Sequence, residues 1–214
     1  MASTPRGGPP AVPLPRPPVL GAGAPWARWY ENVLGWAVGG GPPAGLLTGL
    51  RFDVLELPAD AGAAVLRRTA VTGPVALAGR RMRLLVAAGG AEELPGLLEW
   101  LEWGGIALGL TALGAGGVMP APPPPGRAGS REAAVWLRPP VPGREVEPTL
   151  PALTPFGRGT GAGRGGCPDL VRLLDTVATE CHRARLLRAN ARTHAQSHAR
   201  TNTHEYAAYE YSAD

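Results

Sequence analysis

The sequence predicts an α+β fold: one domain with a single mixed sheet and flanking helices, followed by a C-terminal helix. Three observations carry that expectation. Leu94, Leu97, Leu98 and Leu101 recur at i, i+3, i+4 and i+7, the apolar stripe of an α-helix. Leu50–Leu57, LRFDVLEL, reads as the best strand of the chain and is ended by Pro58. Val75–Leu77 and Met82–Ala87 read as two further strands joined by a turn around Gly79-Arg80, a hairpin.

In chain order, residues 1–25 are too rich in proline for helix or sheet and are expected to form a disordered leader. Trp26–Leu34 follows as a first helix. Trp26, Trp29, Tyr30 and Val33 form its stripe and Gly35 its C-cap. A short strand is expected at Trp36–Val38. The loop GGGPPAG comes next, but no Lys-Ser/Thr follows it, so it is no phosphate-cradling P-loop. On the LRFDVLEL strand, Asp53 and Glu56 lie three apart and face opposite sides. Asp60–Arg68 is a short helix. The helix around Leu94–Leu101 starts with Glu92 and Glu93, suited to its positive dipole end, and stops at Gly104-Gly105. Ile106, Leu108 and Leu110 suit a buried strand, and Gly114 with Gly116-Gly117 marks a turn into Val118-Met119. A last strand is expected at Ala133–Leu137, closing a folded domain over 26–138. Residues 139–166 read as a Pro/Gly-rich linker without an element of its own. Within 167–189, Leu170, Leu173, Leu174, Val177, Cys181 and Ala184 give the C-terminal helix one apolar face. Residues 190–214 are polar and expected to be a disordered tail.

Composition narrows the class. The chain has 214 residues, and Gly and Pro make up about a quarter of it. Net charge is +4 and every basic residue is Arg. Such mild basicity supports a nucleic-acid partner only weakly. Two cysteines are too few for a disulfide scaffold. No apolar run reaches membrane-spanning length and the N-terminus has no apolar signal core, so a cytoplasmic protein without a membrane partner is expected. Cys167, Cys181, His182, His194 and His198 invite a zinc reading, but paired CxxC spacing is missing and no metal site is expected. Trp100 and Trp103 suit helix packing better than base stacking.

GGVMPAPPPPG, from Gly116 onward, resembles the glycine-turn, strand and Ala-Pro-Pro signature of the prim-pol domain, the N-terminal domain of bacterial bifunctional DNA primase/polymerases in the archaeo-eukaryotic primase superfamily. Tyr30–Val38 resembles that domain's opening helix and Gly-Trp-x-Val turn. Leu47–Pro58 resembles its Thr-Gly segment and acidic strand, and Trp136 sits where the family often has an aromatic residue. The resemblance spans about residues 27–138 and implies nucleotidyl transfer assisted by divalent metal. The family uses two carboxylates two residues apart, a third on a neighbouring strand and a phosphate-contacting His. Here Glu56 is the remnant of the first acid, and Asp53, facing the other way, is a second remnant. Leu57 or Pro58 takes the second acid's place, Met82 or Arg83 the His, and Gly109 or Thr111 the third acid.

The resemblance therefore implies a degenerate module, weakly active or inactive, retained for nucleic-acid or protein binding. Magnesium or manganese is implied only if activity survives. Arg51, Arg80, Arg81 and Arg83 are the candidate contacts for single-stranded DNA or RNA. Two alternatives stand beside this reading. One is an active primase/polymerase using Asp53 and Glu56. The other is an interaction protein whose Pro-rich segments hold a protein partner.

Overall fold

A computed structural model of the protein describes residues 24–39, 44–69, 73–127, 133–153 and 169–210. The chain is α+β. Helix α1 (Ala24–Trp29) passes directly into a π turn, Tyr30–Leu34, which Gly35 closes at φ 65°. Strands β1 (Val38–Gly39), β2 (Gly45–Leu47) and β3 (Asp53–Pro58) follow. Then come α2 (Ala59–Arg68), the hairpin β4 (Val75–Ala78) and β5 (Arg81–Val86), and α3 (Gly90–Trp100). Strands β6 (Thr111–Leu113), β7 (Val118–Pro120) and β8 (Val135–Arg138) precede a 3-10 turn, Glu147–Thr149, and the long helix α4 (Leu170–Glu210).

Where the sequence suggests one mixed sheet, the strands divide into two. One has the order β1-β2-β7, the other β6-β3-β5-β4-β8, and every pairing is antiparallel. Helix α2 connects β3 to β4 as a parallel crossover would. The tight turn at Gly79-Arg80 then folds β5 back between those two strands, so no parallel neighbours meet.

The larger sheet separates two cores. On one face Leu55, Leu57, Leu84 and Val86 pack against Val65 of α2, Leu94 of α3 and Leu173, Leu174, Val177 and Cys181 of α4. On the other, Val54, Ala76 and Leu85 pack against Tyr30, Trp36, Leu46, Phe52 and Met119. Both faces of β3 are thus covered, and its apolar residues Val54, Leu55 and Leu57 are all buried. Two ion pairs clamp α2 to α4: Arg68 with Glu180 at 2.9 Å and Arg188 with Asp60 at 2.6 Å.

Several boundaries differ from the sequence reading, each for a local reason. Val33 is 38% exposed, while Tyr30 and Leu34 are buried. A π turn closes i→i+5 and is wider than an α turn, which carries Val33 off the inner face. Helix α3 stops before Gly104-Gly105, at Glu102, which takes φ 65°. The Trp103 N–H donates to the Leu98 carbonyl at 2.7 Å and the Glu102 N–H to Glu99 at 3.0 Å, so a Schellman cap forms with Glu where Gly is usual. Residues 106–110 form no strand; pairing begins at Thr111, opposite Glu56. Leu108 is nonetheless buried.

Residues 139–153, expected to open a linker, carry the 3-10 turn and place Val146 and Leu150 in the second core. The expected end of the C-terminal helix at residue 189 is also corrected, because helical backbone continues through much of the expected tail to Glu210. Residues 190–210 contain neither Gly nor Pro, so nothing stops propagation from the packed first half. The leader is outside the described residues except for Ala24 and Pro25, and so is most of GGGPPAG. Among the described residues no helix is long and apolar enough to cross a membrane.

Candidate functional site

Strands β3 and β5 pair over their full length, which sets Glu56 directly against Arg83. Glu56 also faces Thr111 on β6, Arg83 faces Ala76 on β4, and Ala76 faces Trp136 on β8. Register partners share a face. One row therefore crosses all five strands: Thr111, Glu56, Arg83, Ala76, Trp136. It lies on the side of the Tyr30 core, beyond Val54 and Leu85. Arg81, two residues before Arg83, points the same way.

Both arginines converge on one carboxylate. Arg81 Nε donates to Glu56 Oε1 at 2.9 Å, and Arg83 Nε donates to Glu56 Oε2 at 2.8 Å. Arg83 Nη2 lies 2.7 Å from that same Oε2. Arg81 is further fixed by the carbonyls of Gly109 at 2.8 Å and Glu56 at 2.9 Å, and by the Thr111 hydroxyl at 3.3 Å. Arg83 Nη1 is covered and has no hydrogen-bond partner. Side-chain exposure is 19% for Glu56, 31% for Arg81 and 11% for Arg83. The three side chains carry one net positive charge at the sheet surface.

Asp53 is elsewhere. It is fully buried on the opposite face of β3, where its Oδ2 accepts the Ala91 N–H at 2.9 Å at the start of α3. There it accepts one of the unpaired N–H groups of the first turn of α3. Its other oxygen, Oδ1, has no hydrogen-bond partner. Arg51 lies in the bend before β3, five residues ahead of Glu56, and is paired with Glu147. Arg80 is exposed at the hairpin turn. Of the candidate residues, then, Glu56, Arg81 and Arg83 come together, with Arg80 adjacent in sequence, while Asp53 and Arg51 do not join them.

This arrangement does not fit a two-carboxylate metal site. Both Glu56 oxygens are held by guanidinium groups and Asp53 is across the sheet. Among the described residues no group of three His, Cys, Asp or Glu is placed to hold a metal ion. Cys181 is a buried core residue whose thiol burial pushes up to about 12. His182 lies beside the Trp103 ring, at 5.8 Å, and His194 is exposed on α4. Cys167 and the side chain of His198 lie outside the described residues. Trp103 packs against the helical core, whereas Trp100 is 66% exposed.

The motifs that carry the family resemblance meet one another instead. The Tyr30 hydroxyl donates to the Pro122 carbonyl at 2.6 Å and accepts from Trp136 Nε1 at 2.9 Å. The Trp36 ring lies 6.0 Å from Tyr30 and 6.3 Å from Trp136. Thr48 donates from Oγ1 to the Gly114 carbonyl at 2.6 Å, tying the Thr-Gly segment to the glycine turn. These residues build the core beneath the row. Sequence reasoning placed Tyr30 on an apolar stripe but missed the bonds of its hydroxyl to Pro122 and Trp136. The alternation of Arg81 and Arg83 puts those two on one side of their strand, but the register that sets Glu56 against Arg83 is a non-local pairing.

The two acids should titrate with opposite effects. Partial burial pushes the Glu56 carboxyl up, but the hydrogen bonds and charges of Arg81 and Arg83 outweigh it and hold it below its ordinary value. Its contribution to stability is present above the unfolded value, about 4.3, and is lost as pH falls through the lower folded one. Burial, with Glu92 adding to it, holds Asp53 above its ordinary value despite the Ala91 N–H. Its contribution is present below about 3.9 and is lost as pH rises through the folded value. In urea titrations the wild-type advantage over Glu56→Gln should shrink on acidification below pH ~4. Relative to Asp53→Asn, the wild type should instead lose ground as pH rises above ~4. Parallel curves would show that neither site senses its neighbours.

No protein-family model, no curated protein and no solved structure matches the chain.

Proposed function

We propose that the chain is a prim-pol-like module that has lost nucleotidyl transfer and keeps a surface for the phosphate backbone of single-stranded DNA or RNA. The observation that carries this is the convergence of Arg81 and Arg83 on one sheet face, with Arg80 beside them, while the acids required for metal lie apart or are engaged. Two guanidinium groups in fixed geometry suit phosphate oxygens, and they position a strand without reading its bases. The motif residues packed around Tyr30 support inheritance of fold rather than chemistry.

Binding of an oligothymidylate and of its RNA counterpart, followed by fluorescence anisotropy at low salt, tests the proposal. Sequence-independent binding that weakens steeply with salt is expected. In Arg80→Gln, Arg81→Gln the slope of log affinity against log salt should fall by about 0.7 for each phosphate no longer neutralised. No binding by protein shown to be folded by circular dichroism ends this reading. Nucleotide incorporation with magnesium or manganese that vanishes in Glu56→Ala would replace it with the catalytic one.

A further inference from the structure

Resting on that reading of the face, we propose that Glu56 sits in the seat of a phosphate group: it is an internal anion, held by Arg81 and Arg83, that a ligand's phosphate must displace. Four observations place it there. Each Glu56 oxygen is bonded by the Nε of a different arginine, the two-donor bridging that a phosphodiester would also receive. The carboxylate serves no helix end and lies near the solvent edge of the row, at 19% exposure. Arg81 is also held independently of the carboxylate, by its bonds to the Gly109 and Glu56 carbonyls and to Thr111. Finally, the carboxylate does not saturate the pair: Arg83 Nη1, although covered, has no partner. A tetrahedral phosphate brings more acceptor oxygens than a carboxylate to the same place.

A salt bridge that merely guards the sheet surface predicts that losing Glu56 harms or does nothing to binding. An internal competitor predicts the reverse. Freed of its anion, the seat gains one net charge and needs no displacement step. The probes are an oligothymidylate lacking terminal phosphates and a metal-free nucleoside triphosphate, each titrated against wild type and Glu56→Gln at low salt. The variant should bind about tenfold more tightly, equivalent to about 1.4 kcal/mol, and with the oligothymidylate its salt slope should steepen by about 0.7. A gain with both probes identifies the phosphate group as the shared determinant. A gain with one alone still supports the seat and names its source.

Unchanged or weaker binding by folded Glu56→Gln overturns the inference, while wild-type binding would leave the nucleic-acid reading standing. Absence of binding by both proteins removes both. Should Glu56→Gln fail to fold, Thr111→Glu places a second carboxylate beside Arg81 at an exposed position. It should weaken binding about tenfold more than Ala195→Glu, a change of equal charge on exposed α4. Equal losses in the two would overturn the seat.

Discussion

Trp36→Ala should destabilise the protein by about 3–5 kcal/mol, the range for removing a buried aromatic side chain. Trp36 is 2% exposed and central to the Tyr30 core. Its ring centroid lies 4.6 Å from Phe52, 6.0 Å from Tyr30 and 6.3 Å from Trp136. Deleting it strips all three rings of a packing partner and leaves a cavity that neither sheet can close. The hydrogen bond from Trp136 to Tyr30 loses its backing at the same time. For a chain of this size the loss corresponds to roughly 10 °C in thermal midpoint. Trp100→Ala is the control: that side chain is 66% exposed, and its loss should move stability by about 0.5 kcal/mol or less. Equal midpoints for the two variants would show that the second core contributes little.

Gly49→Ala should cost about 2–5 kcal/mol, combining a left-handed backbone penalty with overpacking. Gly49 takes φ 85°, and an added Cβ would stand 2.2 Å from Ala115 Cα and 2.6 Å from Ala115 N. Those are backbone atoms of the glycine turn that leads into β7, so no side chain can swing aside. Either the turn or the Thr48-Gly49 segment must move, and Thr48 is hydrogen-bonded to that turn. Gly79→Ala separates the two contributions. It shares a positive φ, 55°, but a Cβ there meets nothing within 4 Å, so about 1 kcal/mol is expected from conformation alone. Urea midpoints read the difference, and similar losses at both sites would mean that the Ala115 backbone yields freely.

What the sequence disclosed follows from how local each signal is. The start of α4, the helix at 59–68 and the β4–β5 hairpin were legible because periodicity and a turn glycine decide them within a few residues. The opposed directions of Asp53 and Glu56 were legible from the strand period alone. What Asp53 meets there was not, since its partner N–H belongs to α3, 38 residues later. The glycine pair 104-105 concealed a stop at Glu102, where Trp103 packing outweighs the preference for glycine. Prolines after residue 138 suggested a linker, yet Val146 and Leu150 supply the apolar cover that the second core lacks. In the site, arginines and acid were visible as residue types, but their mutual engagement is a matter of register.

The Tyr30 core also imposes an order in time. Tyr30 is joined to Pro122 across 92 residues and to Trp136 across 106, and Arg51 reaches Glu147 across 96. None of these bonds can form between nascent neighbours. At synthesis rates of about 5–20 residues per second, Tyr30 waits about 5–20 s for Trp136 to be made. Its aromatic neighbours stay uncovered for that interval, and the arginine row has no floor to rest on until it ends.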